Sequence, residues 1–109
     1  MTINSNAKGK RFERTVAEWF RENLGVKARR GQQFSGGPES PDVVVPGLPI
    51  HIEAKAVEAF NLYKALEQAK NDCGEKLPVV VHKKNNKPMV FIVEADRVLE
   101  FAQLMRMVG

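Results

Sequence analysis

The sequence predicts an α/β fold: a mixed five-stranded sheet flanked by helices, in the order αβββαββα. Three observations predict it. Apolar residues recur at helical spacing in three separate segments. Four short apolar runs, at 42–45, 50–55, 77–82 and 88–93, read as strands, and a short segment at 26–30 adds a fifth. The link between the third and fourth strands is itself helical, so those two strands run parallel with a right-handed crossover, while the hairpin links are short enough for antiparallel pairing.

Residues 6–24 read as the first helix. Phe12, Val16, Trp19, Phe20 and Leu24 form its apolar stripe, and Gly25 suits the left-handed position that ends a helix. A short strand follows at 26–30, then a loop rich in Gly and Ser. Ser40-Pro41 forces an extended backbone into a second strand at 42–45. Pro46-Gly47-Leu48-Pro49 is a turn, and Ile50–Lys55 is the third strand. Side chains alternate along it, so His51, Glu53 and Lys55 share one face and Ile50, Ile52 and Ala54 the other. The second helix covers 58–73, with Leu62, Leu66, Ala69 and Cys73 as its core stripe and Gly74 as its stop. Leu77–His82 and 88–93 are strands around a Lys83-Lys84-Asn85-Asn86-Lys87 turn, whose asparagines tolerate positive φ. A third helix at 95–107 turns Val98, Leu99, Phe101, Ala102 and Met105 inward.

With 109 residues and 43% hydrophobic content, the chain can bury one core. Net charge +4 and a pI near 9.4 lean towards a polyanionic partner. Cys73 is the single cysteine, so an internal disulfide and a cysteine-based zinc site are excluded, in keeping with a reducing cytoplasm. No apolar run approaches the length of a membrane span, and residues 1–6 lack a signal-peptide core.

The chemistry concentrates in Pro41-Asp42-Val43-Val44-Val45 and Ile50-His51-Ile52-Glu53-Ala54-Lys55. A carboxylate opens one apolar strand, and a carboxylate and a lysine close the next. Charge is costly there unless it is paired or holds a metal. Glu53 and Lys55 lie about 6.6 Å apart along the strand, pointing the same way. Asp42, Glu53 and the main-chain carbonyl of Ala54 offer oxygens to a hard cation such as Mg²⁺, with Lys55 placed to orient a water or steady charge on a phosphate. A lone Glu-x-Lys is common by chance and would normally mark a solvent-facing strand end. Glu13 strengthens the case because it shares the stripe of Val16, Ala17 and Phe20, where an acid needs a partner; a salt bridge to Arg14 or Lys10 is the plainer account. His51 and His82 are taken as structural.

Pro41-Asp42 followed by Glu53-x-Lys55 resembles the PD-(D/E)XK nuclease signature. The preceding helix with Glu13, and the Ser35-Gly36-Gly37 loop between, are similar to the archaeal Holliday-junction resolvases. The stretch from Ile52-Glu53-Ala54-Lys55 through Leu66-Glu67-Gln68-Ala69 to Pro78-Val79-Val80-Val81-His82 is similar to small phage and prophage nucleases of the virus-type replication-repair group. The resemblance runs over about 9–101. It implies a restriction-endonuclease-like core forming a single domain over 1–109, and Mg²⁺- or Mn²⁺-dependent hydrolysis of DNA phosphodiesters, in branched or otherwise structured DNA. Asp42 and Glu53 are then metal ligands, Lys55 the catalytic lysine, and Glu13 an acid acting directly or through water. Ser35 is the loop serine near the site, with Ser40 as the alternative. Ala54 replaces a more usual larger residue, which is harmless if only its carbonyl is used. Several branches carry a Lys or Gln on the second helix that reaches the site; Gln68 and Lys64, sharing a face with Asn61, occupy that place, although an exposed polar face explains them equally.

For DNA contacts the first choice is Arg29 and Arg30, one loop from the acids. Lys10 and Arg11 on the first helix, Lys64, and Lys83 and Lys84 at the hairpin tip follow. Symmetric cutting of a four-way junction requires two sites and hence a homodimer. Phe60 and Tyr63 sit off the core stripe, as interface residues or as packing for the last helix. The rival readings are a nucleic-acid-binding module without catalysis and a structural subunit of a larger nuclease assembly.

Overall fold

The computed structural model describes residues 5–31 and 41–107. Ser35, Ser40 and the Gly36-Gly37 pair lie outside the described residues. Eight elements follow one another: α1 (Ser5–Leu24), β1 (Arg29–Arg30), β2 (Val43–Val44), β3 (Ile50–Lys55), α2 (Leu62–Asp72), β4 (Leu77–His82), β5 (Val90–Ile92) and α3 (Val98–Met107). The strands form one sheet in sequence order, antiparallel throughout except for the parallel pair β3–β4, the link that α2 bridges.

β3 organises the molecule. Its even residues Ile50 and Ile52 are buried on the side of Phe12, Val16, Ala17 and Phe20 from α1, together with Val43, Leu77, Val79 and Val81. On the opposite side Val80 packs with Ala65, Leu66 and Ala69 of α2. Trp19, Phe20, Phe91 and Phe101 link α1, β5 and α3 through edge and stacked ring contacts with centroids 4.7 to 6.1 Å apart. Gly25 ends α1 at φ 68° with its amide on the Arg21 carbonyl, as its position suggests. Asn86 carries the positive φ, 63°, of the β4–β5 turn.

The structure trims several expected elements. β1 keeps only Arg29 and Arg30, and β2 only Val43 and Val44. β5 shrinks to Val90–Ile92, beyond Pro88, which has no N–H to offer a ladder. α2 starts at Leu62 rather than 58, because Asn61 caps it: its side chain accepts from the Lys64 amide at 3.0 Å. The approach is held instead by His82, whose ring stacks on Phe60 at 3.9 Å and whose Nε2 meets the Val57 carbonyl at 2.9 Å. Phe60 thus packs on β4 rather than on the last helix, while Tyr63 is exposed. The final segment opens as a 3₁₀ turn at Ala95–Arg97. The rotation this gives α3 corrects its expected inner face: Phe101, Leu104 and Met105 pack on the core, whereas Val98, Leu99 and Ala102 face solvent.

Candidate nuclease site

The site forms where β2 begins beside the end of β3. Val43 pairs with Ile52, which sets Asp42 opposite Glu53. The Asp42 backbone is fastened on both sides: its amide donates to the Ile52 carbonyl at 2.9 Å, and its carbonyl accepts from the Gly31 amide at 2.8 Å. Gly31 passes so close to Pro41 that a Cβ there would collide with the Pro41 carbonyl oxygen. Only glycine lets β1 press against the residues that present Asp42.

Asp42 Oδ2 accepts from the Ala54 amide at 2.8 Å. In a strand the amide and carbonyl of one residue point to the same edge. The Ala54 carbonyl is therefore also directed to the β2 edge, where Asp42 lies. Asp42 and Glu53 are both buried, at 8% and 3% exposure. Burial first, then the neighbouring Glu53 carboxylate and more weakly Glu13, push the Asp42 carboxyl up to about 7; the Ala54 amide pulls against them. Three acids thus converge from α1, β2 and β3.

Glu13 is only partly covered, and its Oε1 accepts from Arg30 Nε at 3.0 Å. Arg30 is therefore its partner, rather than Arg14 or Lys10, and the Arg30 head is turned inward to the acids. Arg29 is exposed, as are Lys10 and Arg11. Glu53 has a partner of its own: its Oε1 lies 2.9 Å from His51 Nε2, with both side chains almost fully buried. A ring nitrogen of His51, an oxygen of Glu53 and an oxygen of Asp72 all lie within 4.8 Å of one another.

These donors suit a hard divalent cation. They are mainly carboxylate and carbonyl oxygens, and the burial and like-charge repulsion that hold a proton on Asp42 are what bound positive charge would offset.

The family described as "Phage putative PDDEXK endonuclease" matches residues 4–106. The chain belongs to this family of PD-(D/E)XK endonucleases. The structure of Hjc from Archaeoglobus fulgidus, a Holliday junction resolvase of an archaeal hyperthermophile, is similar to it. That likeness has a TM-score of 0.58 at 25% identity, covering 79% of this chain and 72% of that one. No curated protein matches the sequence.

Two grooves flank the nuclease's β3 end. On the α2 side, Lys55 with Asn61, Lys64 and Gln68 lines a cavity of about 190 Å³. The helix face picked out in the sequence is thus beside the catalytic-lysine candidate. On the α1 side, Lys8, Arg11, Lys83 and Lys84 surround a cleft of about 220 Å³ whose walls include Phe12 and Thr15. Sequence reasoning missed three residues near the site. His51 was signalled by its alternation with Glu53, but a lone histidine carries little weight. Gly31 and Asp72 gave no local sign, because their roles depend on contacts made across the fold. Lys8 belongs to the basic cluster of Lys10, Arg11 and Arg14 that the sequence shows, and it lines the α1-side cleft. No helix among the described residues is long and apolar enough to cross a membrane.

Proposed function

We propose that this endonuclease is a Mg²⁺- or Mn²⁺-dependent hydrolase of DNA phosphodiesters that prefers branched or otherwise structured DNA. The observation that carries the reading is the convergence of Glu13, Asp42 and Glu53 next to Lys55, with Asp42 driven up to about 7 by burial and by the other acids. Asp42, Glu53 and the Ala54 carbonyl would hold the cation, and Glu13 would reach it directly or through water. Bound there, it would supply Lewis acidity and neutralise charge on the phosphate.

The chain's own residues do the rest. Water attacks phosphorus in line, and the bond to the leaving deoxyribose oxygen breaks. Lys55, half-buried at the mouth of the α2-side groove, orients the attacking water and steadies charge on the non-bridging oxygens. Gln68 and Lys64 stand across that groove, within the walls that would meet the scissile strand. Lys10, Arg11, Lys83 and Lys84, with exposed Arg29, contact flanking phosphates without reading sequence; Arg30 acts through its pair with Glu13.

Preference for branched DNA is supported by the likeness to a Holliday junction resolvase. Paired cuts across a junction need two sites, so the working form is a homodimer. The exposed apolar side chains Tyr63 and Leu99 offer surface for it. A free Cys73 fits action in the cytoplasm.

The test is a cleavage panel of four-way junction, flap, nicked and linear duplex with Mg²⁺ or Mn²⁺. Metal-dependent cutting, fastest on the branched substrates and abolished by chelator, is expected. All four substrates remaining intact would overturn the enzyme reading in favour of a binding module, whose affinity would fall with salt and ignore chelator. Equal cutting of all four would remove the branched preference alone.

A further inference from the structure

His51 is more deeply buried than the acids it serves, and nothing in the proposed hydrolysis uses it. It is 2% exposed and lies on the α2-facing side of β3, two residues before Glu53. Its Nε2 is 2.9 Å from Glu53 Oε1. With Glu53 ionised, as a cation ligand must be, its oxygen accepts and His51 Nε2–H donates. At the C-terminal end of α2, Asp72 brings a carboxylate oxygen within 4.8 Å of a His51 ring nitrogen and of a Glu53 oxygen.

A buried carboxylate beside two other acids has several competing geometries. It can rotate towards Asp42, towards the helix or towards solvent. The His51 bond fixes Oε1 of Glu53, and the Asp42 carboxyl, hydrogen-bonded to Glu53, holds it from the other side. A ligand oriented in this way loses less freedom when an ion binds. We infer that His51, backed by Asp72, is a positioning residue that locks Glu53 in the orientation that receives the divalent cation. The inference rests on the reading that Glu53 is a cation ligand.

Calorimetric titration of Mn²⁺ into the wild-type protein, Glu53→Gln, His51→Phe, His51→Gln and Asp72→Asn tests it, with circular dichroism reporting the fold. His51→Phe keeps the volume of the ring and removes the donor. It should weaken Mn²⁺ binding about 10- to 100-fold, the size of effect expected when a ligand's outer partner is lost. His51→Gln carries an amide N–H in place of Nε2–H and should recover most of that loss, which a purely space-filling role would not allow. Asp72→Asn should weaken binding by a smaller factor, roughly threefold.

The inference is overturned if a folded His51→Phe binds Mn²⁺ as tightly as wild type. It is equally overturned if His51→Phe and His51→Gln both abolish Mn²⁺ binding as completely as Glu53→Gln, since His51 would then be a ligand itself. Should His51→Phe not fold, the other pair decides: unchanged affinity in Asp72→Asn together with weakened binding in His51→Gln would overturn it. A separate result bears on the underlying reading. If Glu53→Gln binds Mn²⁺ like wild type, Glu53 holds no cation and both proposals fall; if Glu53→Gln loses binding while His51→Phe does not, only the positioning role falls.

Discussion

The two faces of β3 are built to opposite rules. On the α1 face, Ile50 and Ile52 meet Phe12, Val16, Ala17 and Phe20 in a dry apolar core. On the α2 face, His51, Glu53 and Lys55 stand in a row, and the apolar support is a small cluster of Ala65, Leu66, Ala69 and Val80. One strand of six residues thus gives its even positions to the apolar core and, on the proposed reading, its odd ones to chemistry. The period of two makes the separation possible, since a substitution on one face leaves the other in register. The cost falls on the polar face, where Asp42 and Glu53 are buried with like charge for company.

Chemistry supplies the largest expected effect. Glu53→Gln should reduce DNA cleavage by at least about 10³-fold, since loss of a cation ligand forfeits several kcal/mol of charge stabilisation in the transition state. Thermal unfolding of the same variant should be no earlier than wild type, because one buried acid has been neutralised. A variant that loses cleavage only in proportion to lost folded protein would break the comparison between the faces.

Phe20→Ala is the mirror experiment. Phe20 is fully buried and touches both Trp19 and Phe91. Its truncation should cost about 3–5 kcal/mol of stability in urea denaturation, while the fraction that remains folded binds Mn²⁺ with wild-type affinity. Weakened Mn²⁺ binding in that fraction would show that the core face also shapes the site.

The difference between the faces also explains what was readable from sequence. The α1 face announces itself through Phe12, Val16 and Phe20 at helical spacing and through the alternation of Ile50 and Ile52, so fold class, element order along the chain and the crossover from β3 to β4 follow from local pattern. The acids Asp42 and Glu53 were legible because charge inside apolar strands is anomalous. What escaped depends on contacts between distant segments. Arg30 pairs with Glu13 from 17 residues away, and Gly31 is needed only because Pro41 lies against it. The inner face of α3 was misplaced because a 3₁₀ turn at its start shifts the rotation of every later residue.

Titration sharpens the contrast in the cation-free protein. Folded Asp42 keeps its proton up to about pH 7, whereas an unfolded chain releases it near its ordinary value of 3.8. Between those values the folded form binds more protons, so stability falls as pH rises through the window and levels off above it. Asp42→Asn should flatten that slope and, at about pH 8, be more stable than wild type by about 1–3 kcal/mol. Added Mg²⁺ should stabilise the wild type more at about pH 8 than at about pH 5.5, because binding must first expel the proton. Wild-type stability that does not change across this range would mean that the acids are not in conflict.

The smallest effect expected lies outside both faces, at the basic cleft between α1 and the β4–β5 turn. Lys83 and Lys84 stand there with Lys8 and Arg11 around a space of about 220 Å³. If each of the two lysines meets one DNA phosphate, Lys83→Ala/Lys84→Ala should lower the slope of log affinity against log salt by about 1–2 and weaken binding roughly tenfold at moderate salt. Fluorescence anisotropy with Ca²⁺ in place of Mg²⁺ measures both without cleavage. Cation affinity, which the proposal places at Glu53 and Asp42, should not follow. A slope that stays at the wild-type value would place the DNA away from this cleft, and the α2-side groove at Lys55, Lys64 and Gln68 would then have to carry the backbone contacts by itself.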